Sequence, residues 1–315
     1  MFTVTEVPAG NGILQYRTEQ LTGARCRISP GRLKRHLDNS LSVSRDSHGC
    51  PFCPGAVFSE TPTFPDGSRI RIGESVTFPN LYPFGKGHIV TVVTSAHFPD
   101  AFTKQQVADA FSGQIEGLRR YDGYPSINWN YLPSAGASLI HPHFQGLSDP
   151  FPTPTADRYI SGSKKYLGHH GKRYWDALRE HEQSSERYLF GDDVIWWTAH
   201  AVPVGEREIR GVLRLSTLEE MAEYTELLAE GILKIIDLYR SLGTYAFNMS
   251  VFFDRCGCNN GFNAFCSIIS RINPNPSSTS DTAFMERLHN EPVILTLPEE
   301  LGKYYHSELK RKSKK

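Results

Sequence analysis

The stretch from Ser138 to Gln145 reads Ser-Leu-Ile-His-Pro-His-Phe-Gln and places two imidazoles and a primary amide at every second position. In an extended strand alternate side chains share a face, so His141, His143 and Gln145 are expected to point the same way. Burying three such groups without partners would cost on the order of a few kcal/mol each, so solvent or a ligand must satisfy them. Gly136, Ala137 and Ser138 precede them, and their short side chains let a bulky anion approach the backbone. Neutral imidazole, with a reference pKa of about 6.5, is a nitrogen nucleophile near pH 7. Attack on phosphorus gives a phosphoramidate whose N–P bond can be passed on, which splits one difficult displacement into two. An amide two residues further on can donate to a phosphoryl oxygen but cannot deprotonate water.

The second constellation is Cys50-Pro51-Phe52-Cys53. A Cys-x-x-Cys pair becomes a strong metal signal when two more ligands can be named. His97, in Thr-Ser-Ala-His-Phe-Pro-Asp after a strand, and His141 complete a Cys₂His₂ set, with His48 and His88 as rivals. Four ligands close a tetrahedral site, so the metal reads as structural rather than catalytic. Cys256, Cys258 and Cys266 have no nearby histidine, make a poor zinc pattern, and read as loop thiols. His169, His170 and His181 read as surface residues of a polar helical insert.

Two similar series of elements have to position these groups. In the first, GKGHIVTVV is a strand, Thr103 and Gln106 form a capping box, and Val107, Phe111, Ile115 and Leu118 share one helix face. PSINWNYL and SLIHPHFQG are then strands around the turn Pro133-Ser134-Ala135-Gly136. The second series repeats the order. VIWWTAHAVPV and IRGVLRL are strands, and Ser216 and Glu219 cap a helix reaching about Arg240, with Leu218, Met221, Leu228, Ile232, Ile235 and Ile236 inward. YAFNMSVFF and NAFCSIISRI are its last strands, and NPNPSSTSD is an exposed loop. The proline-rich DPFPTPTADRY joins the series, which puts a boundary between units 1–148 and 149–315. Hairpins alternating with helices give an α+β class rather than a doubly wound sheet.

Composition narrows the function classes. The 34 Lys+Arg balance 34 Asp+Glu, so no global basic field exists to hold a nucleic acid. The basic tail KRKSKK reads as a solvated end. No apolar run is long enough to span a bilayer, and the first residues do not read as a signal peptide. Six cysteines in a chain of 315 residues without such a leader read as thiols or ligands, and a cytoplasmic enzyme is expected.

Ala137-Ser138 followed by His-Pro-His-x-Gln resembles the active-site signature of the galactose-1-phosphate uridylyltransferases, a branch of the histidine-triad superfamily. Tyr16-Arg17, Leu21-Thr22-Gly23 and the run Ser29 to Arg35 are similar to that family's amino-terminal motif, Cys50 to Cys53 to its metal-binding hook, and Phe78-Pro79-Asn80 to its nucleoside-contacting segment. The matches keep family order through residues 16 to 146. The resemblance implies two histidine-triad-like half-barrel units, the first catalytic and the second degenerate. It implies His143 as nucleophile, Gln145 and Ser138 at the phosphoryl group, Asn130 on the nucleotide side, Asn80 near base and ribose, and Arg32 and Arg35 on phosphates. It also implies zinc on Cys50, Cys53, His97 and His141, a homodimer, and nucleotide-sugar and sugar-phosphate substrates. The aromatic segment VIWWTAHAVPV suits such an interface or a core equally. A second, histidine-held metal is expected to be missing, because the matching strand reads Cys-Ser-Ile-Ile-Ser-Arg. Phosphate as acceptor (a phosphorylase) and a non-catalytic, zinc-stabilised nucleotide-binding protein are the alternatives. Hydrolysis is disfavoured by glutamine at position 145.

Overall fold

Runs of β-branched and aromatic residues punctuated by glycine and proline pair as strands, and runs with apolar residues every three or four positions coil against them. In the computed structural model, which describes residues 1–9, 12–34, 45–272 and 282–312, the first series is β1 (Phe2–Ala9), β2 (Gly12–Glu19), β3 (Arg25–Ile28), α1 (Val57–Glu60), β4 (Ile70–Ile72), β5 (Ser75–Pro79), β6 (Gly87–Val92), α2 (Lys104–Leu118), β7 (Tyr124–Tyr131) and β8 (His143–Asp149). The second is α3 (Pro154–His170), α4 (Tyr174–Gln183), β9 (Tyr188–Gly191), β10 (Ile195–Ala199), β11 (Ile209–Leu213), α5 (Leu218–Met221), α6 (Thr225–Ser241), β12 (Phe247–Phe252), β13 (Phe265–Ser270), α7 (Phe284–Arg287), β14 (Val293–Ile294) and α8 (Pro298–Lys312). Arg35, the loop 273–281 and the last three residues of the basic tail lie outside the described residues.

The class is α+β, as expected, and ten strands form one sheet in the order β4-β5-β6-β8-β7-β12-β13-β11-β10-β9. Every neighbouring pair is antiparallel. The connectivity β4-β5-β6-α2-β7-β8 recurs as β9-β10-β11-α6-β12-β13, and the two series meet where β7 pairs with β12. A smaller sheet, β1-β2-β3-β14, closes with a parallel pairing of Val293 and Ile294 to Arg27 and Ile28. Buried Arg17 and Arg187 both reach Glu299, which ties β2, the chain after α4 and α8 together.

Helices α2 and α6 pack on one face of the large sheet and against each other. Thr103 and Gln106 form the expected capping box of α2, and Val107, Phe111, Ile115 and Leu118 are buried against Ile89, Trp129 and Phe144. On the opposite face α3 and α4 cover the second series, with Tyr159, Tyr174 and Trp175 packed on Trp196, Val212 and Phe265. The same face of the first series is covered by the segment after Cys50, through Phe52 and Val57 against Phe78, Val90 and Val92.

Four expectations change in the structure, and one open alternative is decided. The capping box lies one residue later, on Thr217 and Glu220, because the Ser216 hydroxyl is committed to the Phe262 carbonyl. The helix it starts ends at Met221 and resumes at Thr225. Strand β8 begins at His143 rather than Ser138, since Pro142 has no N–H to donate to a ladder. Of the two places open to Trp196 and Trp197, an interface or a core, both take the core of this chain. Cys266 is no loop thiol but is fully buried in β13.

Trp197 shows how tightly α6 is seated. A Cβ at Gly211 would come within 2.8 Å of its indole, and one at Gly231 within 2.5 Å. Glycine on both elements is what lets the ring lie between sheet and helix. Gly231→Ala is therefore expected to destabilise the fold by roughly 1–3 kcal/mol despite the better helix propensity of alanine. Urea titration would measure this, and a variant as stable as the parent would contradict the packing argument.

Candidate active site

The Cys50–Cys53 turn, His97 after β6 and His141 before β8 converge on one point, with their ligand atoms all within 4.8 Å of one another. Cys50 Sγ and Cys53 Sγ each lie 3.7 Å from His141 Nδ1, and Cys53 Sγ lies 3.5 Å from His97 Nδ1. Zinc bonds of about 2.0–2.3 Å would give a tetrahedron with edges of roughly 3.3–3.8 Å, so these separations suit one four-coordinate ion. His141 Nε2 is 2.8 Å from the Thr94 carbonyl and donates to it, which leaves Nδ1 unprotonated for a metal. Burial pushes the His141 imidazole down to about 4, so it stays neutral. His97 and His141 cross edge to face at 5.5 Å. Among the described residues this is the one group of three or more such side chains, and His48 and His88 stand outside it.

The arrangement reaches the neighbouring strand in two ways. His143 Nδ1 lies 2.8 Å from the carbonyl of His141 and donates to it. The ring proton is thus fixed on Nδ1, and the lone pair is left on Nε2, which has no protein partner among the described residues. Phe52, inside the Cys-x-x-Cys turn, packs edge-on against the His143 ring at 5.2 Å. His143 is 4% exposed, and burial lowers its basicity, so the imidazole is neutral and available as a nucleophile.

Gln145 lies on the same face two residues on, half-buried. Its side-chain oxygen is 3.0 Å from His88 Nε2. The other ring nitrogen of His88 is 3.3 Å from the backbone nitrogen of Phe84. A backbone N–H can only donate, so Nδ1 accepts, and Nε2–H donates to Gln145 Oε1. Asn80 Nδ2 also comes within 2.9 Å of His88 Nε2, while its Oδ1 accepts from the Tyr82 N–H. The amides of Asn80 and Gln145 therefore compete for one ring nitrogen, and the contact with Phe84 decides for Gln145. With its oxygen engaged, Gln145 keeps its NH₂ free for a ligand.

The polar row continues across the sheet. Asn128 pairs in register with Gln145 and Ser250 with Asn128, and Ser250 Oγ donates to Asn128 Oδ1 at 2.8 Å. One rung further, Asn130 pairs with Asn248, whose Nδ2 donates to Asn130 Oδ1 at 2.7 Å. Asn128, Asn248, Ser250 and the role of His88 escaped the sequence reading. The alternation of Asn128 and Asn130 in SINWNY, matched by Asn248 and Ser250 in FNMS, was the available signal.

The remaining expected residues are less tightly drawn in. Ser138 is exposed in the bend before His141, reached through the left-handed Gly136 (φ 85°). Arg32 is exposed on the turn Pro30–Lys34, and no hydrogen bond among the described residues fixes its guanidinium. Arg35 lies outside the described residues.

Comparison with solved structures identifies this architecture. An ADP-glucose phosphorylase from Arabidopsis thaliana superposes with a TM-score of 0.74 at 17% identity, covering 93% of this chain and 97% of the other. A GalT-like protein from the same plant gives 0.73 at 17% identity, covering 92% and 97%. A uridylyltransferase gives 0.70 at 18% identity, covering 94% and 98%. The chain has the galactose-1-phosphate uridylyltransferase fold. An uncharacterised protein of Archaeoglobus fulgidus is 29% identical over 300 residues, 92% of this chain and 88% of that protein. No known family profile matches the sequence. Within this uridylyltransferase fold, no helix of the described residues is long and apolar enough to cross a membrane.

The geometry of the four ligands has a direct test. Purified protein is expected to carry about one metal ion per chain. Cys53→Ala should remove most of it and Cys266→Ala none, as read by elemental analysis. Full metal content in Cys53→Ala would overturn the ligand set.

Proposed function

We propose that the chain is a nucleotidyltransferase that carries a nucleoside monophosphate, UMP in our reading, on His143 between a nucleoside-diphosphate sugar and a sugar 1-phosphate. The observation that carries this is the state of His143: a buried, neutral ring with its proton committed to the His141 carbonyl and its Nε2 without a protein partner. A binding pocket needs no such nucleophile. The fold shared with an ADP-glucose phosphorylase and a uridylyltransferase supports the reading.

In this mechanism His143 Nε2 attacks the α-phosphorus of the nucleotide sugar, the N–P bond forms, and the sugar 1-phosphate leaves with the bridging oxygen and its electron pair. The Nδ1–H bond to the His141 carbonyl strengthens as positive charge grows on the ring. The NH₂ of Gln145 donates to a non-bridging oxygen, Asn130 and Ser138 contact the same nucleotide phosphate, and Asn80 faces base and ribose. Arg32 and Arg35 meet the outer phosphate, for which a planar guanidinium is suited. The acceptor phosphate then attacks from the vacated side and restores His143. Phosphate in place of a sugar phosphate would make the same chemistry a phosphorylase. The fold likeness to an ADP-glucose phosphorylase supports that alternative.

The metal in this reading is zinc, held by Cys50, Cys53, His97 and His141, and its contribution is a cross-link that fixes the backbone at His141. The unit 1–148 holds the catalytic machinery and 149–315 is its degenerate copy. The protein works as a cytoplasmic homodimer on small nucleotides, with no nucleic-acid partner.

Mass spectrometry after mixing with a panel of nucleoside-diphosphate sugars tests the core claim. The expected result is a gain of one nucleoside monophosphate, absent in His143→Ala and slowed about a hundredfold or more in Gln145→Ala. Initial rates should give parallel double-reciprocal lines. Intersecting lines, or normal turnover by His143→Ala, would defeat the covalent route.

A further inference from the structure

Asn130 and Asn248 sit opposite each other on β7 and β12, the two strands where the series meet. The orientation of an amide is set by whichever neighbours can only donate or only accept, and Asn248 has one of each. Its Oδ1 receives Nη1 of Arg271 at 2.8 Å, and a guanidinium only donates. Its Nδ2 lies 2.7 Å from the Ala135 carbonyl, which only accepts. The amide of Asn248 therefore has one permitted orientation. The same Nδ2 is 2.7 Å from Asn130 Oδ1. The oxygen of Asn130 is consequently held from behind, and its NH₂ is left without a protein partner among the described residues. Asn130 and His143 share a face, because Asn128 pairs in register with Gln145 and side chains alternate along both strands.

We propose that Asn248 is a positioning residue: with Arg271 fixing it in turn, it holds the Asn130 amide so that NH₂, and not the oxygen, meets the phosphoryl group. This rests on the nucleotidyl-transfer reading above. An unrestrained asparagine would present an oxygen to a phosphoryl oxygen in part of the population, and each such encounter is repulsive. The carboxy-terminal series thereby acts on chemistry located in the amino-terminal one.

The test uses the full-length, metal-loaded protein and two readouts. Asn248→Asp keeps an acceptor for Arg271 but removes the donor to Asn130. It should cut the rate of His143 nucleotidylation at least tenfold, with zinc content and thermal midpoint reported alongside. Asn248→Ala, which removes the side chain without adding charge, should act in the same direction if the acidic variant folds poorly. In an Asn130→Ala background the Asn248→Ala change should cost nothing further, because the residue acts only through Asn130. Additive losses would show a merely structural role and overturn the proposal, as would an unchanged rate in both single variants. A parent protein that gains no nucleotide from any sugar nucleotide tested would instead defeat the reading on which the proposal rests. Side-chain amide exchange by NMR decides the orientation independently of activity. Slow exchange at the Asn248 NH₂ supports the proposal, and exchange as fast as a free amide overturns it.

Discussion

One hydrogen bond organises this site: the donation from His143 Nδ1 to the carbonyl of His141, two residues back along the same strand entry. It fixes a tautomer, and it ties the ring to the backbone of a residue whose own side chain belongs to the four-ligand cluster. A short loop segment containing proline would otherwise sample several positions for that carbonyl. Four side chains from three separate segments converge beside it in a set that could hold one metal ion, and Phe52 from the same cysteine turn packs edge-on against the ring. Under the proposed function, a metal held by this cluster would act on His143 through geometry alone, since none of the four side chains needs to touch a substrate.

The amides are arranged by the same logic at greater sequence distance. Gln145 is oriented by His88, 57 residues away, and Asn130 by Asn248, 118 residues away. In both cases the oxygen is satisfied inside the protein and the nitrogen is left over. Each arrangement depends on one partner that cannot change its role, a backbone N–H behind His88 and a guanidinium behind Asn248. Preorganised donors of this kind avoid reorientation when charge develops on a ligand.

Much of this was legible in the sequence where the signal is local. The histidine–proline–histidine stretch, the cysteine turn, the capping box at Thr103 and the inward faces of α2 and α6 each follow from residues within a few positions of one another. What escaped depended on distant partners. Ser216 and Thr217 both have a glutamate three residues on, so the sequence offers two overlapping caps, and only the Phe262 carbonyl chooses between them. The tryptophans of β10 suit a core or an interface equally well. Glycines at 211 and 231, on other elements, let Trp197 into the core, and α3 and α4 cover Trp196. His88 looked like a rival ligand because its type and position after GKG carry no hint of the glutamine it meets across the sheet.

The small sheet imposes an order on synthesis. Strand β3 leaves a ribosome well before its parallel neighbour β14, which consists of Val293 and Ile294, and Glu299 beyond it anchors Arg17. The amino-terminal strands must therefore wait, with one edge unpaired, while the large sheet is made and closed. Their docking is expected to be among the last events of folding, and a ribosome stalled before residue 290 would display an open strand edge to chaperones.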